Sequence, residues 1–277
     1  MRSASGGRVR EMLHLALNLA CVGLFLFPIA WMFLGAFKTE EVLLSGDFRL
    51  VFEPTLDHWR YIFDNWSVPR HLVNSLVISL GATACTMLLG VPASYGFSRF
   101  PIWRKDAVIL DLLTLKMIPP IAAAVPLFLL ARYTGLYNTL VALILLNTAF
   151  QLPFVILVMK SFIDDIPRDL DEAALVDGCR PLRTFVKVIL PLSLPGLVCC
   201  TLFVFIFTWN EFLFANVMVG GDLRPLPVVT GLALTHRGIL WGPALALGIV
   251  VVTPVLLLTF ALARYMARGL TFGAVKG

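Results

Sequence analysis

The apolar stretch LYNTLVALILLNTAFQLPFVILVM (residues 136–159) and the charged stretch IDDIPRDLDEAALVDGCRPLRTFVKVILPLSLPG (residues 163–196) decide the fold of this chain. The first is long enough to cross about 30 Å of hydrocarbon as a helix, which takes roughly 20 residues. The second is too polar to lie in lipid, so it predicts a loop at the membrane surface. A spanning segment followed by a charged loop indicates an integral membrane protein.

The composition of the whole chain agrees with this interpretation. Of 277 residues, 59% are apolar and 14% are charged, whereas soluble domains average about 45–50% and about 25%. The mean hydropathy is +0.88. These values exclude a soluble globular protein, a disordered chain and a nucleic-acid-binding domain, although the net charge is +5. The sequence has no CxxC, HExxH, GxSxG or GxxxxGK[ST] pattern, so it offers no metal site, no catalytic residues and no ATP-hydrolysing motif.

Six apolar stretches have spanning length, and we predict an all-α integral membrane protein with six transmembrane helices. They cover residues 13–37, 72–97, about 107–131, 136–159, about 192–217 and about 243–266. The predicted organisation is an N-terminal tail, first helix and outer loop (1–71), a five-helix core (72–267) with a charged loop at 162–190, and a C-terminal tail (268–277). With the N-terminus inside, the inner segments hold twice as many Lys and Arg residues as the outer ones. This bias predicts that both termini are cytoplasmic.

The charged loop predicts a first short helix. Asp164 or Asp165 can cap its start, and Pro167 suits its first turn. Gly178 is the natural residue to end it, because a helix commonly ends on a residue in the left-handed conformation.

A second short helix is expected to begin at Pro181 and to run to about Ile189, with Pro191 as its boundary. Ala173 and Ala174 place two small side chains together in the first helix, which permits close approach of a partner. The loop therefore predicts a helix–glycine turn–helix hairpin at the membrane surface.

The spacing of residues in this hairpin resembles the EAA motif of ABC importer permeases. The motif is matched by Glu172-Ala173-Ala174, three residues, Gly178, nine residues and Val188-x-Leu190-Pro191. Val188 stands where the family usually has Ile, and Cys179 where Ala is common. Three further runs are similar to the carbohydrate branch, in particular the MalG-like permeases of maltose-type importers. They are HLVNSL at 71–76, FTWNEF at 207–212 and GLTFGAVKG at 269–277.

The resemblance implies a permease subunit of an ATP-driven importer for an oligosaccharide, monosaccharide or polyol, in the cytoplasmic (inner) membrane of a prokaryote. The implied partners are a second homologous permease, two ATPase subunits, an extracytoplasmic solute-binding protein and the lipid bilayer. ATP and Mg would be bound by the ATPases, while this chain would bind no cofactor and would not be an enzyme. The hairpin would be the coupling helix that docks on the ATPase. The implied coupling residues are Glu172, Ala173, Ala174, Asp177, Gly178 and Pro191.

Polar residues within the predicted spans are candidates for the substrate pathway. Asn147 and Gln151 are four apart and share one helix face. Trp209, Asn210 and Glu211 combine an aromatic face with groups that bind hydroxyls, as a sugar site requires. Hydrogen bonding between helices is the competing explanation for these polar residues.

Two further regions carry candidate residues. Lys116 and Asp111 lie in the third span, and the run Met117-Ile118-Pro119-Pro120 should break or kink that helix. For Lys116, a pore-lining role and an interhelical pairing both remain open. In MalG-like permeases the outer loop before the last span contacts the binding protein, so the resemblance makes Asp222 and Arg224 candidates for that contact.

Two other functions remain possible on the sequence. Within the same class, the cargo can be glycerol-3-phosphate or a glycerophosphodiester. In a different class, the chain can be a secondary transporter or channel that needs no ATPase. The charges of Asp111, Lys116 and Glu211 would then be candidates for ion coupling.

Overall fold

The computed structural model describes residues 4–46, 49–235 and 238–273. It divides into two compact units: Met1–Ser67 with Thr230–Val252, and Val68–Val229 with Thr253–Gly277. The last four residues of the MalG-like C-terminal run, and three of the basic residues counted for orientation, lie outside the described residues. Those three are Arg2, Arg237 and Lys276.

The first unit consists of helices and one short hairpin. Its elements are α1 (Ala4–Gly35), α2 (Glu40–Leu44), α3 (Asp57–Asn65), a 3₁₀ turn (Thr230–Ala233), the antiparallel strands β1 (Leu234–Thr235) and β2 (Gly238–Ile239), and the start of α14 (Trp241–Gly273). His58 is buried and contacts the carbonyl of Lys38 through Nε2 at 2.8 Å. A Cβ on Gly242 would overlap the His58 ring, so only glycine permits this packing.

The second unit carries the residues of functional interest. Its elements are α4 (Val68–Arg99), α5 (Lys105–Met117), α6 (Pro120–Tyr133), α7 (Leu140–Asp164), α8 (Asp169–Val176), α9 (Pro181–Thr184), a π-helical turn (Phe185–Ile189), α10 (Leu190–Leu192), α11 (Leu194–Trp209), α12 (Leu213–Met218), a 3₁₀ turn (Gly221–Leu223) and α13 (Leu226–Val229). Helices α4, α7 and α11 pack together. A Cβ on Gly90 of α4 would lie 2.7 Å from Val155 of α7, so this glycine lets the two helices approach closely.

The apolar segments agree with the predicted all-α membrane fold. Among the described residues, four helices are long and apolar enough to cross a membrane: α1 from Arg10, α4, α7 and α14 to Ala263. Two further spans are bent pairs, α5 with α6 at 93° and Pro181–Leu192 with α11 at 78°, which makes six spans if each pair counts as one. The break predicted between Met117 and Pro120 is confirmed.

The fifth span differs from its prediction as one continuous stretch over 192–217. Helix α11 ends at Trp209, and α12 begins at Leu213. The side chain of Glu211 accepts hydrogen bonds from the N–H groups of Phe214 and Ala215 at 2.6 Å and 3.0 Å. This carboxylate satisfies donors that a helix start leaves without partners, so the chain can interrupt the helix here.

Candidate functional site

The hairpin between α7 and α11 begins differently from the prediction. Helix α7 continues to Asp164, with Asp165 at its C-terminal boundary, and α8 starts at Asp169 without a side-chain cap. The predicted capping of α8 by Asp164 or Asp165 is therefore wrong. Asp164 instead accepts a hydrogen bond from Ser98 Oγ at 2.6 Å and pairs with Lys160.

The predicted end of α8 at Gly178 is confirmed. Gly178 has a φ of +78°, a conformation that favours glycine over residues with a Cβ. Its N–H donates to the carbonyl of Leu175 at 3.0 Å, and the N–H of Cys179 donates to the carbonyl of Ala174 at 2.9 Å. These two bonds form a Schellman motif, which turns the chain sharply into the second helix.

The second helix starts at Pro181 as predicted but does not end at Pro191. Helical structure continues through the π-helical turn and past Pro191 to Leu192, and the break falls at Ser193. Pro191 lies one residue before the end of this helical segment at Leu192. The boundary at Pro191 is therefore corrected to Ser193.

The exposed surface of the hairpin, which we call the α8 ridge, combines charge, small residues and apolar side chains. It consists of Glu172, Ala173, Val176, Asp177, Gly178 and Leu182, all of them exposed. Val176 is 89% exposed and Leu182 is 75% exposed, although both are large and apolar. Ala174 is buried in its own chain. The expected pair of small residues for a partner is therefore reduced to Ala173.

A buried ion pair joins α8 to the end of α4. Arg99 Nε lies 2.9 Å from Asp171 Oδ2, with side-chain exposures of 8% and 14%. Tyr95 donates a hydrogen bond from its hydroxyl to Asp171 Oδ1 at 3.4 Å, and Arg99 Nη2 donates to the carbonyl of Ile166 at 2.8 Å. We call this group the Arg99–Asp171 tie. No pattern in the sequence singled out Arg99 or Asp171, because the two residues are 72 positions apart and lie on different helices.

A cavity of about 440 Å³ lies at the bend between α5 and α6. It brings together four of the polar residues singled out in the sequence, Lys116, Asn147, Gln151 and Glu211, with Phe150, Phe212 and Phe214 among the apolar lining. Lys116 Nζ donates to Gln151 Oε1 at 2.9 Å. Of the two roles left open for Lys116, this hydrogen bond is the pairing across helices, and the same side chain also lines the cavity.

Two residues expected in the same group do not face this cavity. Trp209 is 1% exposed, and its ring stacks on Phe205 with centroids 5.6 Å apart. Its indole is thus packed in the protein and does not offer a face to a sugar ring. Asn210 is exposed, and its amide donates to the carbonyl of Ile206 at 2.8 Å, so it closes the end of its own helix.

A second hydrogen-bond cluster holds the segment 222–226 against the start of α4. His71 Nδ1 lies 2.7 Å from the carbonyl of Arg224, and Asn74 Nδ2 donates to the carbonyls of Asp222 and Arg224 at 2.7 Å and 3.2 Å. Because a carbonyl only accepts, the proton in the first bond must be on Nδ1 of His71. We call these contacts, with that of Ser75, the 222–226 clamp.

Ser75 completes the clamp, and Arg70 adds a surface contact. Ser75 Oγ accepts the N–H of Leu226 at 2.7 Å. Arg70 pairs with the side chain of Asp222 at 2.6 Å, but both side chains are more than half exposed. In the sequence, His71, Asn74 and Ser75 entered only as part of a run similar to the family. The structure shows what these three polar side chains bind.

The chain matches known proteins along most of its length. Residues 87–272 match the family described as "Binding-protein-dependent transport system inner membrane component". The trehalose transport system permease protein SugB of Mycobacterium tuberculosis is 34% identical over 264 residues, which cover 94% of this chain and 96% of SugB. The trehalose/maltose transport system permease protein MalG of Thermococcus litoralis is 32% identical over 257 residues, which cover 91% of this chain and 92% of MalG.

The fold is also similar to a solved transporter structure. A chain of a bacterial ABC transporter involved in the import of the acidic polysaccharide alginate superposes with a TM-score of 0.76 at 19% identity, over 96% of this chain and 99% of that chain. Permeases of this family work in importers with a binding protein and with ATPase subunits. Because the family match spans most of the chain and the relatives align along nearly all of it, this chain belongs to the binding-protein-dependent transport system inner membrane components, and it is a multi-pass permease subunit of an ABC importer and not an enzyme.

Proposed function

We propose that the cargo of this permease is a carbohydrate, and that the chain forms half of the pore together with a second, homologous permease. The observation that supports a carbohydrate cargo is that relatives aligned over more than 90% of this chain have names that specify trehalose, maltose or diacetylchitobiose. A cavity that joins amide, ammonium and carboxylate groups with phenylalanine rings suits a molecule with many hydroxyls and some apolar faces.

The α8 ridge is the surface on which the ATPase subunit docks. Glu172, Ala173 and Asp177 are available to a partner because they are exposed. Val176 and Leu182 add exposed apolar surface, and its burial against a partner would be favourable. Gly178 shapes the turn, Ala174 packs against its own chain, and Pro191 lies in the helical segment that follows the turn. The two ATPase subunits bind ATP and Mg, and this chain transmits their closure as a movement of packed helices.

The substrate pathway includes the cavity at the α5–α6 bend. Asn147, Gln151 and Glu211 are its polar lining. Asn210 lies beside it at the exposed end of α11, and Trp209 supports that end from within the packed helices. Gln151 and Asn147 each have a hydrogen bond within the chain, and Glu211 has two. Cargo would therefore bind to polar groups that the chain already holds in place.

The segment around Asp222 and Arg224 is the contact for the extracytoplasmic binding protein. The clamp holds the start of α4 to this segment, whereas the far end of α4 carries the tie to α8. If α8 meets the ATPase, segment 222–226 therefore lies on the outer side. Both termini are then cytoplasmic, as the Lys and Arg distribution predicts, and residues 72–267 form the pore-lining core between an N-terminal anchor region and a C-terminal tail.

A second cargo class is favoured by one observation. The ammonium of Lys116 lines the cavity, and a charge in the membrane interior is costly unless it has a function or a partner. A phosphorylated or otherwise anionic cargo, such as glycerol-3-phosphate or a phosphodiester, would complement this charge.

A pull-down in mild detergent tests the proposal. We expect the tagged chain to recover an ATPase, a second permease and a binding protein. We also expect Glu172→Lys to recover less ATPase than the matched exposed variant Asp169→Lys.

The cargo is tested on the recovered binding protein, which is titrated with trehalose, maltose, diacetylchitobiose and glycerol-3-phosphate. Binding of a sugar supports the first cargo, and binding of glycerol-3-phosphate alone supports the second. Repeated absence of an ATPase from intact complexes would contradict the docking role of the α8 ridge.

A further inference from the structure

Helix α4 carries a polar attachment at each of its ends. It has 32 residues, which correspond to about 48 Å at 1.5 Å per residue. The 222–226 clamp lies at its beginning and the Arg99–Asp171 tie at its end. On the basis of the proposed function, we infer that α4 is the rigid link between the binding-protein contact and the ATPase contact, with Asn74 and Arg99 as its positioning residues.

The first end of α4 holds segment 222–226 through its backbone. His71, Asn74 and Ser75 follow the i, i+3, i+4 spacing that places side chains on one helix face. Their exposures are 7%, 7% and 2%. All four hydrogen bonds of these three side chains reach a backbone N–H or C=O of the segment. Side chains that bind main-chain atoms fix the path of a loop, so the segment moves with α4.

The other end of α4 holds α8 through side chains. Tyr95 and Arg99 are four residues apart and therefore share one helix face. Both contact Asp171, and Arg99 also binds the carbonyl of Ile166 in the connection before α8. Because a buried ion pair is costly to break when one partner leaves, α8 also moves with α4.

The middle of α4, between the two attachments, packs closely against α7. Cβ atoms placed on Gly81 and Gly90 would lie 2.9 Å and 2.7 Å from Ile144 and Val155 of α7. Such contacts transmit displacement because protein interiors compress little. Pro92 lacks an N–H and weakens the backbone ladder locally, but α4 is continuous through it. A displacement at one end of α4 is therefore passed to the other.

This role differs from that of two unrelated structural attachments in a measurable way. Asn74 and Arg99 are about 38 Å apart along the helix, and they share no partner. Substitutions at independent sites more than about 7–10 Å apart normally have additive effects. If both attachments belong to one link, the effects of the two substitutions are not additive. Loss of one attachment already interrupts the transmission, so loss of the second changes the transmitted signal little.

The experiment uses the complete importer reconstituted in lipid vesicles with its binding protein and cargo. The measured quantity is the ratio of ATPase rates with and without the loaded binding protein, per assembled complex. We expect Asn74→Ala and Asp171→Asn each to lower this ratio about fivefold or more, within the usual range of coupling between sites, and the double variant to match the stronger single variant. Asn65→Ala and Asp169→Asn are the matched controls, since both residues are exposed and lie outside the two attachments; they should leave the ratio unchanged.

The possible results separate the link from simpler explanations. Effects that multiply in the double variant, or a ratio unchanged in both single variants, overturn the link. A loss of assembled complex without a change in the ratio indicates a structural role and also overturns it. If Asp171→Asn does not assemble, Tyr95→Phe replaces it, because that variant removes only the hydroxyl bond to Asp171. A wild-type complex that no binding protein stimulates would contradict the proposed function itself.

Discussion

The two ends of α4 are attached by different chemistry. At the 222–226 clamp, neutral side chains bind main-chain atoms. At the Arg99–Asp171 tie, two charged side chains face each other with little exposure. A clamp on the backbone constrains the path of the loop but leaves the side chains of that loop free to vary. A buried charge pair constrains the identity of both residues, since each charge is stable only while the other is present. The difference suggests that the outer segment can change its side chains more freely than α8 can.

The largest effect is expected when the charge pair is broken. Arg99→Met leaves Asp171 as an uncompensated, largely buried carboxylate, which should lower the free energy of unfolding by about 3–5 kcal/mol. Thermal unfolding of the purified subunit in detergent measures this loss. The double variant Arg99→Met/Asp171→Leu should recover most of it, because the unpaired charge is then gone. If the double variant is as unstable as the single one, the cost comes from lost packing and the contrast between the two ends weakens.

A smaller loss is expected at the clamp. Ser75→Ala removes the acceptor for the buried N–H of Leu226, and an unsatisfied buried amide costs about 1–3 kcal/mol. The same unfolding measurement checks it, with Ser75→Thr as the control that keeps a hydroxyl. A loss equal to that of Arg99→Met would show that the two attachments do not differ in strength.

The turn after α8 should be sensitive to a change of backbone preference. Gly178→Asp places a side chain where φ is +78°, a conformation that favours glycine over residues with a Cβ, and it adds a charge beside the α8 ridge. We expect lower transport per ATP hydrolysed in reconstituted vesicles. Gly178→Asn is the control, since asparagine is tolerated in this conformation more readily than other residues. Normal coupling in Gly178→Asp at normal expression would remove the turn from the coupling role.

The smallest effect is expected at the exposed ion pair. Arg70→Ala removes a pair whose side chains are 59% and 65% exposed, and water and salt screen such a pair almost completely. The change in the free energy of unfolding should be at the limit of detection. A loss comparable to that of Ser75→Ala would mean that the loop is held by its side chains as well as its backbone.

The sequence predicted those parts of the fold that depend on neighbouring residues. The end of α8 at Gly178, the start of a helix at Pro181 and the break between Met117 and Pro120 follow from the backbone preferences of glycine and proline. The capping role assigned to Asp164 failed because its carboxylate binds Ser98, 66 residues earlier. A local pattern cannot show that a distant residue competes for the same group.

The polar sites depended on contacts between distant residues, which a single sequence does not reveal. His71 and Arg224 are 153 positions apart, and Arg99 and Asp171 lie on different helices. Asn147, Gln151 and Glu211 were selected because polar residues are rare in spans, and that criterion brought together residues of one cavity. The same criterion could not separate Trp209 from them, because composition does not indicate whether an aromatic ring faces a cavity or the packed interior.

The bend between α5 and α6 has a consequence for how the cavity responds to mutation. The last turn of a helix leaves main-chain carbonyls without partners inside that helix, whereas Pro119 and Pro120, which follow α5, bring no N–H groups to this point. The break therefore adds hydrogen-bond acceptors without an equal number of donors. Leu115, Lys116 and Ile118 at the end of α5 line the cavity, so we expect substitution of Lys116 or Gln151 to change only part of the polarity of the lining. Replacing Pro119 and Pro120 would change the main-chain polarity at this break, which substitution of the lining side chains leaves constant.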